Sequence, residues 1–378
     1  MSSTSDLTSF AARLRRLMDV APRVQERASG DMPFFEPFAL ELFALQFELN
    51  PLYRRFCEAR NVRADTVTHW TGIPAVPTSA FKKLEVSCLP PEARTAVFHS
   101  SGTTAHQPSR HLHNAASLAV YEASVLAWFK AHFQFPAANC QLAILTPPPA
   151  DAPHSSLVHM FQTIRREIAP TESAFVGSVH EDGAWTVDLE AALQILRKAC
   201  ASGQPVLVPG TAFSFVQLLD RLAERSLRLE LPPGSCAMET GGYKGRSRTL
   251  PKAALHAFIS QRFGIPLNRI VSEYGMSELS SQAYDSQVGW PGAEPPLAAN
   301  PNACFCFPPW ARVQIISPET GREVGEGETG LIRVFDLANV YSVMAIQTED
   351  LGIRRGDGFA LVGRAAAAEP RGCSLLAG

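Results

Sequence analysis

The chain has 378 residues, of which 46% are hydrophobic and 19% charged, so it can bury a sizeable core. With 34 Lys and Arg against 36 Asp and Glu, its net charge of -2 argues against a nucleic-acid-binding surface. No segment has the length of a membrane-spanning helix, and arginines interrupt the N-terminus where a signal peptide needs an apolar core. The eight cysteines are scattered through apolar patterns, which is typical of buried thiols in a reducing compartment. We therefore expect a cytoplasmic protein.

The first 300 or so residues alternate between helical and strand-like patterns. Residues 1–35 predict an amphipathic helix with a linker, and residues 36–56 predict a longer helix with Phe and Leu at helical spacing. Farther on, strands are predicted at 95–99, 140–146, 205–210 and 269–273, and helices at 114–133, 155–168, 188–202, 211–226 and 250–264. This alternation is typical of an α/β fold with a mostly parallel sheet.

The pattern changes near residue 303, where short strands separated by turns predict a small β-rich subdomain. We expect an α/β core at 1–302, the β-rich subdomain at 303–364 and a short tail at 365–378. The stretch GEGETG at 325–330 matches G-x-G-x-x-G, but a strand follows it and its two glutamates would repel a pyrophosphate. We interpret it as a hairpin turn.

A loop of small hydroxyl residues follows the strand at 95–99. It contains Ser100, Ser101, Gly102, Thr103 and Thr104. Such a loop can surround phosphate oxygens with hydroxyls and backbone N–H groups, and glycine permits a close approach. The same composition also produces ordinary solvated turns, so the loop alone leaves both interpretations open.

Two further motifs combine turns with acidic residues. After the strand at 269–273, Tyr274 and Gly275 are predicted to form a turn, and Glu278 follows three residues after Gly275. Tyr274 could offer an aromatic face and Glu278 could bind a hard cation such as Mg²⁺, although Tyr-Gly turns followed by Glu are also common in ordinary turns. Near the end of the sequence, Asp350 closes an apolar run, where it could accept two ribose hydroxyls or simply form a β-turn, and Arg364 follows a second short strand.

In this order and at these separations, the three motifs resemble the adenylate-forming superfamily of acyl-CoA ligases, peptide-synthetase adenylation domains and luciferases. The resemblance implies that the loop holds ATP phosphates, that Tyr274 stacks on adenine and that Asp350 binds the ribose. It also implies that Glu278, together with Thr104, holds Mg²⁺, and that Arg364 precedes the hinge. The expected fold is the superfamily's N-terminal domain.

From about residue 30 onward the chain resembles the LuxE-type acyl-protein synthetases. The similar stretches are VPTSAFKKLEV, SSGTTAHQPSRH, TGGYKGRSR, PPWARVQIISPETGREV, FDLANVYSVMAIQTEDLG and EPRGCSLL. Three positions depart from the superfamily pattern: Ala105 replaces a frequent Gly, Ser277 a Thr and Glu349 a Gly. We expect little loss from the first two, which keep a small side chain or a hydroxyl.

The sequence ends 14 residues after Arg364, so we expect it to lack the mobile C-terminal domain of the coenzyme A ligases and the lysine that this domain supplies. Joining a carboxylate to a phosphate requires positive charge at the reacting centre. Lys244 or Lys82 is a candidate source, although either is equally well explained as a surface lysine. Arg110 and His111, directly after the loop, are candidates for phosphate contacts.

Cys373 lies on a glycine-flanked tail near Arg371, a cation that favours the thiolate. The LuxE resemblance implies that this cysteine accepts the acyl group as a thioester and passes it to a partner, either a reductase subunit or a carrier protein. The implied substrate is a carboxylic acid, by default a fatty acid, with Phe213, Phe215 and Tyr243 as candidate lining residues. Two alternatives stay open: a ligase that releases acyl-CoA or another product without a covalent stage, and a non-catalytic nucleotide- or partner-binding protein.

Cys304 and Cys306 lie on one face of a strand as a potential metal pair, and since no further ligands stand at recognisable spacing, we favour apolar packing.

Overall fold

The computed structural model describes residues 2–20, 33–100, 107–133, 140–168, 173–181, 183–242, 248–285 and 304–365. In these residues the α-helices are α1 (Ser2–Asp19), α2 (Phe35–Leu49), α3 (Pro51–Glu58), α4 (Ala80–Lys83), α5 (Ala115–His132), α6 (Ser156–Ile168), α7 (Leu189–Ser202), α8 (Ala212–Glu224) and α9 (Lys252–Phe263). None of the described helices is both long and apolar enough to cross a membrane.

The strands of the same residues are β1 (Val76–Pro77), β2 (Ala96–His99), β3 (Arg110–His113), β4 (Gln141–Ile144), β5 (Ala174–Phe175), β6 (Gly177–Val179), β7 (Trp185–Val187), β8 (Val206–Thr211), β9 (Cys236–Thr240), β10 (Ile270–Tyr274), β11 (Ala283–Tyr284), β12 (Ala311–Ile316), β13 (Thr329–Asp336), β14 (Ala345–Arg355) and β15 (Gly358–Arg364). The predicted α/β alternation is confirmed, and Asn114 caps α5 by accepting a hydrogen bond from the Ser117 amide at 2.9 Å.

The larger sheet of the described residues has the order β11-β10-β9-β8-β4-β5 and is parallel except for the edge strand β11. Both of its faces are buried, since Leu207 on β8 packs into one core cluster while Val206 and Val208 pack into the other. Helices α7, α8 and α9 cover the second face. Because the strands are parallel, their carboxyl ends all lie at one edge of the sheet, and this is the edge where α/β folds bind their ligands.

The second sheet consists of β12, β13, β14 and β15, paired antiparallel, with β1 added in parallel to β14. It forms the predicted β-rich part, although β1 comes from a much earlier segment of the chain. The GEGETG stretch forms a turn that leads into β13, with Gly327 at a positive φ of 81°, and its last two residues, Thr329 and Gly330, begin the strand. The predicted boundary at 302/303 lies outside the described residues.

The single helix predicted over residues 36–56 is wrong, because α2 ends at Leu49 and α3 begins at Pro51. Asn50 takes an extended conformation between them and caps α3 by accepting the Tyr53 amide at 3.1 Å. The residue before a proline disfavours the helical conformation, which explains the break.

Candidate active site

Ser100 and Ser109 lie at the two ends of the loop that contains the small hydroxyl residues, and they form what we call the loop base. Strands β2 and β3 form a hairpin, and directly beyond it the Ser109 amide donates to Ser100 Oγ at 2.9 Å while the Ser100 amide donates to the Ser109 carbonyl at 3.3 Å. Ser109 is completely buried. The remaining predicted loop residues, Ser101 to Thr104, lie outside the described residues.

The loop base contacts the turn that follows β10. Ser109 Oγ lies 3.2 Å from Ser277 Oγ, although the two residues are 168 positions apart, and Ser277 Oγ donates to Glu278 Oε2 at 3.0 Å. His111 adds a contact of 2.9 Å between its Nδ1 and the Ser277 carbonyl. The side-chain amide of Asn339 donates to the Glu278 carbonyl at 2.9 Å. Two of the three sequence motifs thus meet through serine hydroxyls, and the Glu278 carboxylate lies beside them.

The residue that anchors this turn was not among those predicted from the sequence. Asp336, at the end of β13, accepts hydrogen bonds from the Ser280 amide at 2.9 Å, the Ser281 amide at 2.8 Å and Ser281 Oγ at 2.7 Å. Burial raises the pKa of Asp336 to about 6, and these hydrogen bonds oppose the shift. Ser280 Oγ also donates to Asn339 Oδ1 at 2.6 Å. The sequence did contain a signal for them, because Asp336 and Asn339 interrupt the mostly apolar run 331–346.

Tyr274, Asp350 and Arg364 form a second group at the same end of β10. Tyr274 donates its hydroxyl to Asp350 Oδ2 at 2.9 Å, and Arg364 Nε lies 3.7 Å from Asp350 Oδ1. The Tyr274 ring is nearly buried and packs against phenylalanines, including Phe359 at 5.2 Å between ring centroids. Burial raises the pKa of Asp350, while the Tyr274 hydrogen bond and the Arg364 charge oppose the shift.

Asp350 does not end a strand, contrary to the sequence-based expectation. Strand β14 continues to Arg355, and Asp350 pairs directly with Arg364 on β15. The β14–β15 register shifts between Leu351 and Gly352, next to Asp350, and such irregularities commonly re-aim side chains. The β-turn interpretation of Asp350 is therefore wrong.

The other nominated residues divide into three groups. Arg110 lies half-exposed at the loop base, 3.5 Å from Glu85, and its Nε has no hydrogen-bond partner among the described residues. His111 is buried, which lowers its pKa to about 4. Phe213 and Phe215 are also buried. Lys244, Tyr243 and Cys373 lie outside the described residues.

A buried carboxyl group, not considered in the sequence analysis, lies directly beneath the site. Glu273 precedes Tyr274 on β10 and pairs with Tyr284 of β11. A Cβ atom on Gly275 would lie 2.4 Å from Glu273 Oε1, so any larger residue there would displace the Glu273 carboxyl. Burial, and secondarily the negative charge of Glu239, raises the pKa of Glu273 from 4.5 to about 8.

We expect this carboxyl to make the folded protein less stable as the pH rises. Between pH 4.5 and about 8 the folded state keeps a proton on Glu273 that the unfolded chain has released, so the free energy of unfolding falls across this range. The slope approaches about 1.4 kcal/mol per pH unit. Glu273→Gln should flatten this decline and be more stable than the wild type above pH 8, as measured by urea denaturation at several pH values. The exposed Glu92→Gln is the matched control, and an equal decline in the wild type and Glu273→Gln would contradict the assignment.

Glu278 is the acidic side chain best situated to hold a hard cation at the loop base. It is buried, and its one recorded side-chain hydrogen bond in the described part of the chain comes from Ser277. No group of three or more His, Cys, Asp or Glu side chains in the described residues is arranged to hold a metal. Magnesium usually binds one or two carboxylates together with substrate phosphates, so a single carboxylate beside the predicted phosphate loop has the chemistry that this ion requires.

Comparison with known proteins identifies the family. The model of the LuxE acyl-protein synthetase family matches residues 18–377. The long-chain-fatty-acid–luciferin-component ligase of Aliivibrio fischeri is 22% identical over 315 residues, which cover 83% of this chain and 77% of that protein.

Solved structures of 2-hydroxyisobutyryl-CoA ligase share the fold. The open conformation in complex with 2-HIB-AMP and CoA has a TM-score of 0.61 at 12% identity, covering 86% of this chain and 69% of that chain. The postadenylation state in complex with 2-HIB-AMP gives the same TM-score and identity and covers 67% of that chain. The fold is that of an adenylate-forming enzyme, and the chain belongs to the LuxE acyl-protein synthetase family of AMP-forming ligases.

Proposed function

We propose that this protein joins a long-chain fatty acid to ATP, giving acyl-AMP and pyrophosphate, and then takes the acyl group onto Cys373 as a thioester. The observation that carries the first step is the meeting of the loop base with the Ser277–Glu278 turn, through the 3.2 Å contact between Ser109 and Ser277. The name of the Aliivibrio fischeri relative, which specifies a long-chain fatty acid, supports the choice of substrate.

The nucleotide is held at both ends. The hydroxyls and amides of Ser100 to Thr104 bind the phosphates, and the Asp350 carboxylate accepts the ribose hydroxyls. Asp350 suits this role because it keeps an ionic partner in the exposed Arg364 and is oriented by the Tyr274 hydroxyl. Tyr274 contributes an aromatic surface beneath the adenine.

Glu278, with the Thr104 hydroxyl, holds Mg²⁺. The ion, when bound, neutralises charge on the phosphates and so reduces the repulsion between two anions. Arg110 at the loop base and Lys244 supply further positive charge where the carboxylate oxygen attacks the α-phosphorus and pyrophosphate leaves. This electrostatic complementarity is the main contribution that a protein makes to such a step.

In the second step the Cys373 thiolate attacks the acyl carbonyl, and AMP departs with the bonding electrons. A thioester preserves the activation of the acyl group for delivery to a partner protein. The partner is a reductase subunit or a carrier protein, and the luciferin component in the name of the relative supports transfer to a separate acceptor. The division into a core at 1–302, a β-rich subdomain at 303–364 and a Cys373-bearing tail belongs to the same proposal.

Acid-dependent exchange of labelled pyrophosphate into ATP tests the first step directly. We expect exchange with long-chain fatty acids, weaker exchange with shorter and aryl acids, and none without acid or Mg²⁺. Absence of exchange across a broad acid panel would contradict adenylation and favour a non-catalytic nucleotide- or partner-binding protein. Exchange accompanied by free acyl-CoA and no acylated protein would favour a direct ligase.

Asp350→Asn should raise the KM for ATP about ten- to a hundredfold, the equivalent of one hydrogen bond to a charged group. The KM for the acid should change little, because the proposed contact is with the ribose. Initial-rate kinetics with each substrate varied in turn measure both constants. Glu349→Gln is the matched control, because this neighbouring carboxylate is exposed. An unchanged KM for ATP in Asp350→Asn would remove Asp350 from the ribose site.

A further inference from the structure

Two cysteine thiols lie close together on a short segment beside the candidate site. Cys304 Sγ and Cys306 Sγ are 3.7 Å apart, and both residues are partly buried. Gly358 on β15 packs directly against this segment, because a Cβ atom there would lie 2.5 Å from the Phe305 carbonyl oxygen and 3.1 Å from Cys306 Sγ. The alternation of side chains along an extended segment directs Phe305, between the cysteines, to the other face.

This segment bridges the two sheets. Phe305 exchanges backbone hydrogen bonds with Phe359 of β15, at 2.7 and 3.1 Å, and Cys306 exchanges them with Tyr284 of β11, at 2.9 and 3.2 Å. The Phe305 ring stacks on Phe359 at 5.5 Å and lies 6.0 Å from the Tyr274 ring. A displacement of this segment would therefore shift the Tyr274 ring, whose hydroxyl orients Asp350.

The two thiols are suited to disulfide exchange. A hydrogen bond from Cys306 lowers the pKa of Cys304 to about 7, against the opposing effects of burial and of the Asp285 and Glu326 charges. The thiolate is the reactive form in disulfide exchange, so Cys304 is the attacking group. Within the described residues no third ligand of the His, Cys, Asp or Glu type joins the pair, which leaves metal binding unsupported.

Closing a disulfide here requires the two sulfur atoms to move from 3.7 Å to about 2 Å apart, which shifts the segment that bears them. Residues two apart in an extended chain have Cα atoms about 6.6 Å apart. That spacing is near the upper limit of about 6.8 Å for a disulfide. Strained disulfides are the ones that cells readily reduce again, so the bond would be reversible.

We propose that Cys304 and Cys306 form a reversible dithiol–disulfide pair, oxidised by low-molecular-weight disulfides such as glutathione disulfide, whose closure weakens nucleotide binding. The Cys304 thiolate attacks one sulfur of the small disulfide and releases the first thiolate. The Cys306 thiol then loses its proton and displaces the second. Two protein thiols are thus oxidised while one small disulfide is reduced to two thiols. The effect on nucleotide binding rests on the function proposed above.

Peptide mapping of the full chain tests the covalent part. The reduced protein is incubated in glutathione buffers of increasing oxidised fraction, alkylated under denaturing conditions and digested with trypsin. The peptide of residues 270–312 contains Cys304 and Cys306 and no other cysteine. We expect it to lose two hydrogens in the wild type and in the control Cys200→Ser, whereas Cys304→Ser and Cys306→Ser carry at most a mixed disulfide. A peptide alkylated at both cysteines in excess glutathione disulfide would overturn the proposal.

Equilibrium binding of ATP tests the consequence. Oxidation should weaken ATP binding by at least about fivefold, the effect of losing one backbone hydrogen bond, and dithiothreitol should restore it in the same sample. Cys304→Ser/Cys306→Ser should be insensitive to oxidation. Equal ATP affinity of the reduced and disulfide forms would refute the coupling. ATP binding to neither form would contradict the proposed function, while the peptide map still decides whether the bond forms.

Discussion

Glu278→Gln is expected to lower the rate of acid-dependent pyrophosphate exchange about 100- to 1000-fold, the usual effect of removing one electrostatic group from a reacting centre. Glutamine keeps the size of the side chain and can still accept the hydrogen bond from Ser277, so the turn should keep its shape. What the variant loses is the charge that holds Mg²⁺ against the phosphates. Its residual exchange should therefore require a higher Mg²⁺ concentration, which a Mg²⁺ titration of the exchange rate measures.

Variants of Ser277 separate the charge of Glu278 from its orientation. Ser277→Thr retains the hydroxyl that contacts Ser109 and Glu278 and should exchange at the wild-type rate. In Ser277→Ala the rate of pyrophosphate exchange should fall about fivefold, because one hydrogen bond is removed and the carboxylate charge remains. If Glu278→Gln were as active as the wild type at low Mg²⁺, the ion would have to be held elsewhere.

Cys373→Ser is expected to abolish the acyl-enzyme completely while leaving pyrophosphate exchange at the wild-type rate. Exchange reports only the formation and reversal of the adenylate, which does not involve the thiol. A serine hydroxyl without an adjacent base is a poor nucleophile, so the second step should stop. Exchange and the transfer of labelled acyl groups to protein are measured in parallel. Cys200→Ser, which changes a half-buried thiol on α7, is the control.

Loss of exchange in Cys373→Ser would mean that the cysteine acts before or during adenylation, contrary to the account. Continued protein acylation in this variant would assign the acceptor to another side chain. Full turnover with no acylated protein in either form would favour the direct ligase.

Those helices, strands and turns that depend on neighbouring residues could be predicted from the sequence. The Asn114 cap and the residues that follow it predict α5, and the short apolar run at 205–210 predicts the strand β8. The turn after Tyr274 follows from Gly275, where a larger residue would displace the Glu273 carboxyl. These features depend on a few neighbouring residues, so one sequence contains the information.

Contacts between distant segments of the chain could not be predicted from the sequence. In the sequence Asp336 is an ordinary acidic residue at the end of a strand. It can accept the Ser280 and Ser281 amides only because folding brings β13 beside their turn. Asp350 was assigned to a strand end because apolar periodicity stops there, whereas pairing with β15 extends the strand. Tertiary hydrogen bonding overrode the local pattern in both places.

Intact-mass analysis of the wild-type protein after incubation with ATP, Mg²⁺ and a long-chain fatty acid tests the central claim most directly. The account predicts a gain of one acyl group, dependent on ATP and labile to neutral hydroxylamine, as a thioester should be. Trypsin should release it on the peptide of residues 372–378, which contains Cys373. Vigorous pyrophosphate exchange with no acylated protein, or an acyl group on any other peptide, would contradict the claim.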